Sequence, residues 1–300
     1  MKRVPEGLAE AVAGFTGARP ETVRPLGGGD ASAAYEVTLD NGENVFAKAA
    51  PENMPRALDA EAASLRWLAE SRTVRVPLVH GADERWLITE HVESAAPTRE
   101  AAADFGRELA RLHSSGAEAH GCPPPGGPRD AWIGLAPMRN EASHDWPEFY
   151  RSLRVEPYVR SLVDSGTLRP SESGTITEVC ERLDDLPGAD EPPSRLHGDL
   201  WSGNVHWGSD PRDGGTRVWT IDPAAHGGHR ETDLAMLRLF GCPQLDTVLD
   251  AYEGEAPLAE GWRSRVGLHQ LFPLLVHGVL FGRGFAARAV TAAQEALRTL

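Results

Sequence analysis

A few residues scattered along the chain carry chemistry that would complete one another. In the stretch HGDLWSGN, residues 197–204, Asp199 and Asn204 lie close together with glycines at 198 and 203. Further on, Asp222 closes the run VWTI and precedes Pro223. Asp199 could orient a hydroxyl and accept its proton, work worth roughly a hundred- to ten-thousand-fold in rate. The other reading of Asp199 is a turn aspartate bonded to nearby N–H groups. Asn204 and Asp222 offer an amide oxygen and a carboxylate, hard donors of the kind magnesium takes while keeping some waters. Singly they read as a turn amide and a helix cap. Together, D-x-x-x-x-N, strand, turn, strand, D is much rarer by chance than any member and points to a metal site. The chemistry such a set would serve is phosphoryl transfer, which needs charge neutralisation, alignment and a proton acceptor.

A phosphate also needs a fixed cation. In VFAK, strand alternation places Lys48 on the same face as Phe46, so a sheet facing a nucleotide would present an ammonium to the α and β phosphates and a ring to adenine. Glu61, on the helical stretch that follows, would hold that ammonium in place. Asp59 is the rival, but Glu61 lies nearer the face carrying Leu58 and Leu65. Gly28 and Gly29, within the GGG at 27–29, would let backbone N–H groups approach phosphates. A flexible hairpin has the same composition, and Asp30 would repel phosphate unless it points away.

These residues need a sheet with one helix, and a separate helical body, to bring them together. The first ninety or so residues supply the sheet. After an initial helix, VRPLGGGDASAAYEV places glycines between two strand-like runs, Asp40-Asn41-Gly42 is a hairpin turn, and ENVFAKA is the next strand. Pro55 can open a helix with Leu58, Ala62, Leu65 and Ala69 at helical spacing. PLVHGA and RWLITEHV add two strands. Beyond Ser94 the pattern turns mostly helical. Thr98 caps a helix carrying Phe105, Leu109 and Leu112 on one face, and helices are expected from Trp146 to Val163, from Glu172 to Leu186, and from Gly284 towards the terminus. GNVHWG and RVWTID are short strands joined by a polar turn. The expectation is an α+β chain of two unequal lobes, 1–92 and 93–300, joined at residues 90–96.

Bulk properties set outer limits. The chain has 300 residues, 30 basic against 44 acidic, for a net charge of −14. That balance argues against a nucleic acid partner, which needs clustered Lys and Arg. Cys122, Cys180 and Cys242 are odd in number and far apart, so neither a disulfide framework nor a zinc spacing follows, and a reduced cytoplasmic setting is expected. The start MKRVPEGLAE has no signal-peptide run. The longest apolar stretch, LFPLLVHGVLF, is too short to span a bilayer and reads as a buried helix, so no membrane partner is expected. Oligomeric state has no signature here.

With these residues in order, the chain resembles the fructosamine kinase (ketosamine kinase) family, which has the protein-kinase-like fold shared with aminoglycoside and choline kinases. The resemblance rests on HGDLWSGN at 197–204, IDPA at 221–224 and GHRETDLAMLRLFG at 228–241, supported by EAASLRWL at 61–68, VRVP at 74–77, GWRSRVGLHQLFPLL at 261–275 and HGVLFG at 277–282. It implies ATP- and magnesium-dependent phosphorylation of the sugar 3-hydroxyl of a small-molecule or protein-bound ketosamine, whose phosphorylated adduct then releases the amine. By that resemblance Asp199 is the catalytic base, Asn204 and Asp222 hold magnesium, Lys48 and Glu61 position phosphates, and Glu90, His91 and Val92 offer backbone groups to adenine. Trp201 faces the sugar or packs in the core. His226, His229 and Arg230 line the acceptor pocket or form a solvated turn. His197 and Asp233 hold the loop rather than react. The chain departs from the family at Asp30, Ser32 and His229, and matches it only loosely over residues 132–154. The alternative acceptors are an aminoglycoside or an amino alcohol; a non-catalytic nucleotide-binding regulator is the alternative of another class.

Overall fold

The computed structural model describes residues 4–27, 32–185 and 190–299, so Gly28 and Gly29 lie outside the described residues. In chain order come α1 (Leu8–Thr16), β1 (Pro20–Leu26), β2 (Ala34–Leu39), β3 (Asn44–Ala49), α2 (Ala57–Glu70), β4 (Val79–Ala82) and β5 (Trp86–Glu90). The strands form one antiparallel sheet, ordered β1-β2-β3-β5-β4. Alternation divides its two faces. Val45 and Ala47 of β3 turn under α1, in one core with Leu8, Val12, Val37 and Ile88. Lys48 pairs in register with Leu87 of β5, on the face where Leu87 packs against Leu58, Ala62 and Leu65 of α2. One face thus makes core and the other looks into the cleft. Pro55 does not itself open α2: Arg56 intervenes in a left-handed conformation, φ 59°.

The rest of the chain is mainly helical. It runs through α3 (Arg99–Ser114), a hairpin of β6 (Asp130–Ile133) and β7 (Ala136–Arg139), α4 (Trp146–Phe149), α5 (Glu156–Asp164) and α6 (Pro170–Glu181). Then follow β8 (Ser194–Leu196), β9 (Val205–Ser209), β10 (Thr216–Thr220), β11 (His226–Gly228), α7 (Glu231–Leu239), α8 (Leu245–Glu255), α9 (Trp262–Phe281) and α10 (Arg283–Thr299). Thr98 caps α3 by accepting the Ala101 N–H at 3.2 Å. The helix expected from Trp146 is broken into α4 and α5 by a π turn at Tyr150–Val155. α6 starts earlier and stops sooner than expected, because Pro170 sits in its first turn and the chain tightens into a 3₁₀ turn at Leu183–Asp185. α9 is largely buried and joins α5, α6 and α10 in the largest core.

Several contacts tie the sheet to this helical body. Ser94 bridges antiparallel to Gly208 of β9, and Arg75 bridges parallel to Trp219 of β10. From the other side, the Trp132 indole N–H donates to the Pro55 carbonyl at 3.2 Å.

Candidate active site

A cavity of about 550 Å³ opens between sheet and helices, and Lys48, Glu61, Asp199, Asn204 and Asp222 all line it. The Lys48 ammonium lies 2.7 Å from Glu61 Oε2 and 2.9 Å from Asp222 Oδ1. That settles the rivalry at α2 in favour of Glu61, since Asp59 pairs with Arg56 at 3.1 Å instead. The Asn204 amide N–H₂ donates to the Asp199 carbonyl at 2.8 Å and to Asp199 Oδ2 at 3.1 Å. This fixes the aspartate's rotamer and leaves Oδ1 as the amide's remaining acceptor. Asp222 has φ 50°, an unusual conformation for a residue that is not glycine. Such outliers persist only where the surrounding structure imposes them.

The loop that presents Asp199 is held from within. Buried Asp233, near the start of α7, accepts the N–H of His197 at 2.8 Å and of Gly198 at 3.0 Å. His113 of α3 donates to the same carboxylate at 3.2 Å and meets the Tyr252 hydroxyl at 2.8 Å. Burial opposes Asp233's charge, yet these donors hold its carboxyl below the usual range. His197 accepts the Asp199 N–H on Nδ1 at 3.3 Å, so its Nε2–H donates to the Ile221 carbonyl at 3.0 Å. Burial lowers its pKa and keeps it neutral, a strut between the two metal-side segments. Gly198, at φ 82°, answers why glycine precedes the aspartate: a Cβ there would sit 2.1 Å from the Ala224 oxygen.

Charge in the cleft is unbalanced. Among the described residues, three carboxylates, Glu61, Asp199 and Asp222, share one ammonium, Lys48. Burial, with the Asp222 charge added, pushes Asp199 up to about 7. Burial likewise pushes Glu61 up to about 7 against the pull of Lys48. Lys48 is raised: burial works against its charge, but Glu61 and Asp222 outweigh it. Asp222 is lowered despite its own burial cost, by Lys48. An all-oxygen donor set with excess negative charge suits magnesium, and Asn204 Oδ1 and the Asp222 carboxylate are the ligands this geometry offers. Phe46 and Ile221 line the same cavity.

A family model described as fructosamine kinase matches residues 8–299. The chain belongs to the fructosamine kinase family. It is similar to a solved structure from Thermobifida fusca assigned as a fructosamine-3-kinase, at 46% identity and TM-score 0.89, covering 98% of this chain and 100% of that one. It is 31% identical to the chloroplastic protein-ribulosamine 3-kinase of Arabidopsis thaliana over 92% of this chain and 82% of the relative. An ADP-bound aminoglycoside phosphotransferase shares the fold alone, at TM-score 0.63 and 15% identity over 97% of this chain and 98% of that one. The fold is α+β and protein-kinase-like. Among the described residues no helix is long and apolar enough to cross a membrane.

In this fructosamine kinase fold, three residues expected at the acceptor pocket lie off the cavity. His226 is buried, with Nδ1 on the Ala224 carbonyl at 2.9 Å, and burial pushes it down to about 3. His229 is buried with its ring 5.2 Å from Trp146 and 4.7 Å from His269. The Arg230 guanidinium grips Glu191 at 2.7 Å and the Pro257 carbonyl at 2.9 Å. His229, Glu231 and His269 converge closely enough to suggest a metal triad, but Arg265 already forks onto Glu231, and a second cation there would meet its charge.

Of the segment expected to meet adenine, the Glu90 N–H is bonded to the Leu78 carbonyl at 2.8 Å and the Val92 carbonyl to His206 at 3.2 Å. None of Glu90, His91 and Val92 is among the residues lining the cavity. Trp201 lines the cavity and is 40% exposed, so core packing is not its role. Sequence reasoning missed Ser64, which accepts the Ala225 N–H at 3.2 Å and ties α2 to the Asp222 segment. It also missed Trp132, His277 and Phe281 on the outer wall. Helical spacing from Glu61 marks Ser64; nothing local marks the others.

Proposed function

We propose that this protein transfers the γ-phosphoryl group of ATP to the sugar 3-hydroxyl of ketosamines, with magnesium. The observation that carries the reading is the distribution of charge in the cavity. Among the described residues the carboxylates lining it are Glu61, Asp199 and Asp222, and much of the remaining lining is aromatic and apolar: Trp132, Leu135, Trp201, Leu280 and Phe281. An aminoglycoside is polycationic and would call for further acidic groups there. A non-catalytic regulator would have no use for a complete set of base, metal donors and phosphate cation.

In the proposed reaction Asp199 takes the proton of the 3-hydroxyl as that oxygen bonds to phosphorus and the bridging P–O bond to ADP breaks. A carboxyl poised at about 7 is suited to act as a base near neutral pH. Asn204 holds the aspartate in position, and Lys48, fixed by Glu61, meets the phosphates. Magnesium on Asn204 Oδ1 and Asp222 would neutralise phosphate charge. Phosphate at C3, next to the C2 carbonyl, is a leaving group, so the product sheds phosphate and then its amine. Deglycation in a reducing cytoplasm is the role this reading assigns.

Phosphorus NMR of the protein with magnesium, ATP and fructosyl-lysine tests it. A new 3-phosphate signal is expected alongside ADP. Intact ATP, or ADP and inorganic phosphate alone, would remove the ketosamine.

A further inference from the structure

The outer wall of the cavity is built from rings that stay open to solvent. Trp201 is 40% exposed and Phe281 57%; Phe240, which does not line the cavity itself, is 36% exposed. The Trp201 ring lies against Gly203, where an added Cβ would be 2.2 Å from it, so one face is backed by main chain. Phe240 is wedged between Trp201, at 6.1 Å and edge-on, and His277, at 4.9 Å. His277 in turn meets Phe281 at 5.5 Å. The His277 Nδ1–H donates to the Pro273 carbonyl at 2.7 Å, and burial lowers its pKa. The ring at the centre of the cluster is therefore neutral, with no positive charge of its own to repel a cation. The exposed Arg288 guanidinium already sits 5.6 Å from the neighbouring Phe285 ring.

We infer that Trp201, His277 and Phe281 bind the protonated amine of the acceptor through their ring faces, with Phe240 positioning the other rings. This rests on the ketosamine reading above and deepens it. A ketosamine carries its amine on C1, two carbons from C3, so an O3 at Asp199 leaves the ammonium only a few bonds away. Among the described residues, the cavity's carboxylates are engaged with Lys48 or Asn204. Aromatic faces are what remains to receive positive charge, and they attract it through the ring quadrupole. The amine is thereby recognised as a cation without the carboxylates that would also admit polycationic sugars.

The test compares a fructosyl alkylamine with its ether isostere, in which oxygen replaces the amine N–H, as acceptors for the intact enzyme and for Phe281→Leu and Phe240→Leu. Leucine keeps the apolar contact and removes the π face. The unmodified enzyme should prefer the amine by roughly tenfold in kcat/KM, and Phe281→Leu should cut that preference about threefold. Phe240→Leu should cut it less, and the KM for ATP should hold in both, which also reports correct folding. Equal use of amine and ether, or a preference that neither variant moves, overturns the inference while leaving the kinase reading intact. Turnover of neither acceptor overturns both together.

Discussion

Two charge clusters in this molecule are built on opposite principles. In the cleft, among the described residues, Lys48 alone faces Glu61, Asp199 and Asp222, and burial leaves both Glu61 and Asp199 at about 7. At the start of α7, Glu231 is more fully withdrawn from water, at 2% exposed, yet its carboxyl is held at about 2: burial raises it, but His269 and Arg265 bond to it more strongly. Arg265 reaches Glu231 with two nitrogens, His269 lies 3.4 Å away, and His269 is itself bonded to Thr232 at 3.0 Å. The second cluster is complete as protein. The first, among the described residues, has more carboxylates than cations. Charge left unbalanced at a cost marks the working site, and charge fully paired marks the frame.

The sharpest way to break this contrast is to remove one charge from each cluster. Asp199→Asn should lower kcat by roughly a hundred- to ten-thousand-fold, with ATP affinity by calorimetry almost unchanged. Because it relieves repulsion, the ligand-free variant should melt no lower than the parent. Retained turnover would take Asp199 out of the base role, and a lower Tm would mean the cleft was already balanced. Glu231→Gln should do the reverse. It leaves the Arg265 guanidinium buried without its charge partner, which costs about 3–5 kcal/mol, read by urea unfolding. ATP affinity of the folded fraction should hold. A loss of under about 1 kcal/mol would show that the carbonyls of Ala259 and Glu260, which also accept from Arg265, suffice for it.

How legible each cluster was follows from how each is made. The cleft residues belong to strands and a loop whose local patterns are strong: alternation in VFAK, the D-x-x-x-x-N spacing, and a strand ending at Asp222. The five-stranded sheet, α2 and α3 come from the same kind of local signal. The paired cluster joins residues from α7 and α9, and no local pattern says that Glu231 will meet Arg265. That is why His229 and Arg230 read as pocket residues: near Asp222 in sequence, they lie off the cavity. The short strands β6, β7, β8 and β11 were unreadable for a related reason. With three or four residues each, they exist only through their partners. The aromatic wall draws on the catalytic loop, α9 and the end of α7, so its assembly is likewise a tertiary fact.

Acid sharpens the comparison further. Glu231 sits at about 2 in the folded protein against an ordinary value of 4.5. A depressed carboxyl adds stability that is fully present above the unfolded pKa and is lost as pH falls through the folded one. The contribution is on the order of 3 kcal/mol, present above about pH 5 and gone near pH 2. Urea midpoints measured from pH 6 down to pH 3 should therefore fall more steeply for the parent than for Glu231→Gln. Parallel curves would place the acid sensitivity elsewhere, with Asp233 and its histidines the first alternative.

The smallest expected effect tests whether the neutral side of the cleft is as specifically built as the charged side. Trp201 rests on Gly203, and Asn204 follows directly. Gly203→Ala would push the indole off the loop, because the new methyl group would overlap it. If the ring's work is to receive the acceptor, KM for the acceptor should rise roughly fivefold, the equivalent of about 1 kcal/mol of overpacking. KM for ATP and the magnesium dependence should stay where they were, since Asn204 keeps its bonds to Asp199. Should magnesium dependence shift along with the acceptor, Gly203 serves the geometry of Asn204, and the neutral wall then has no backbone support of its own.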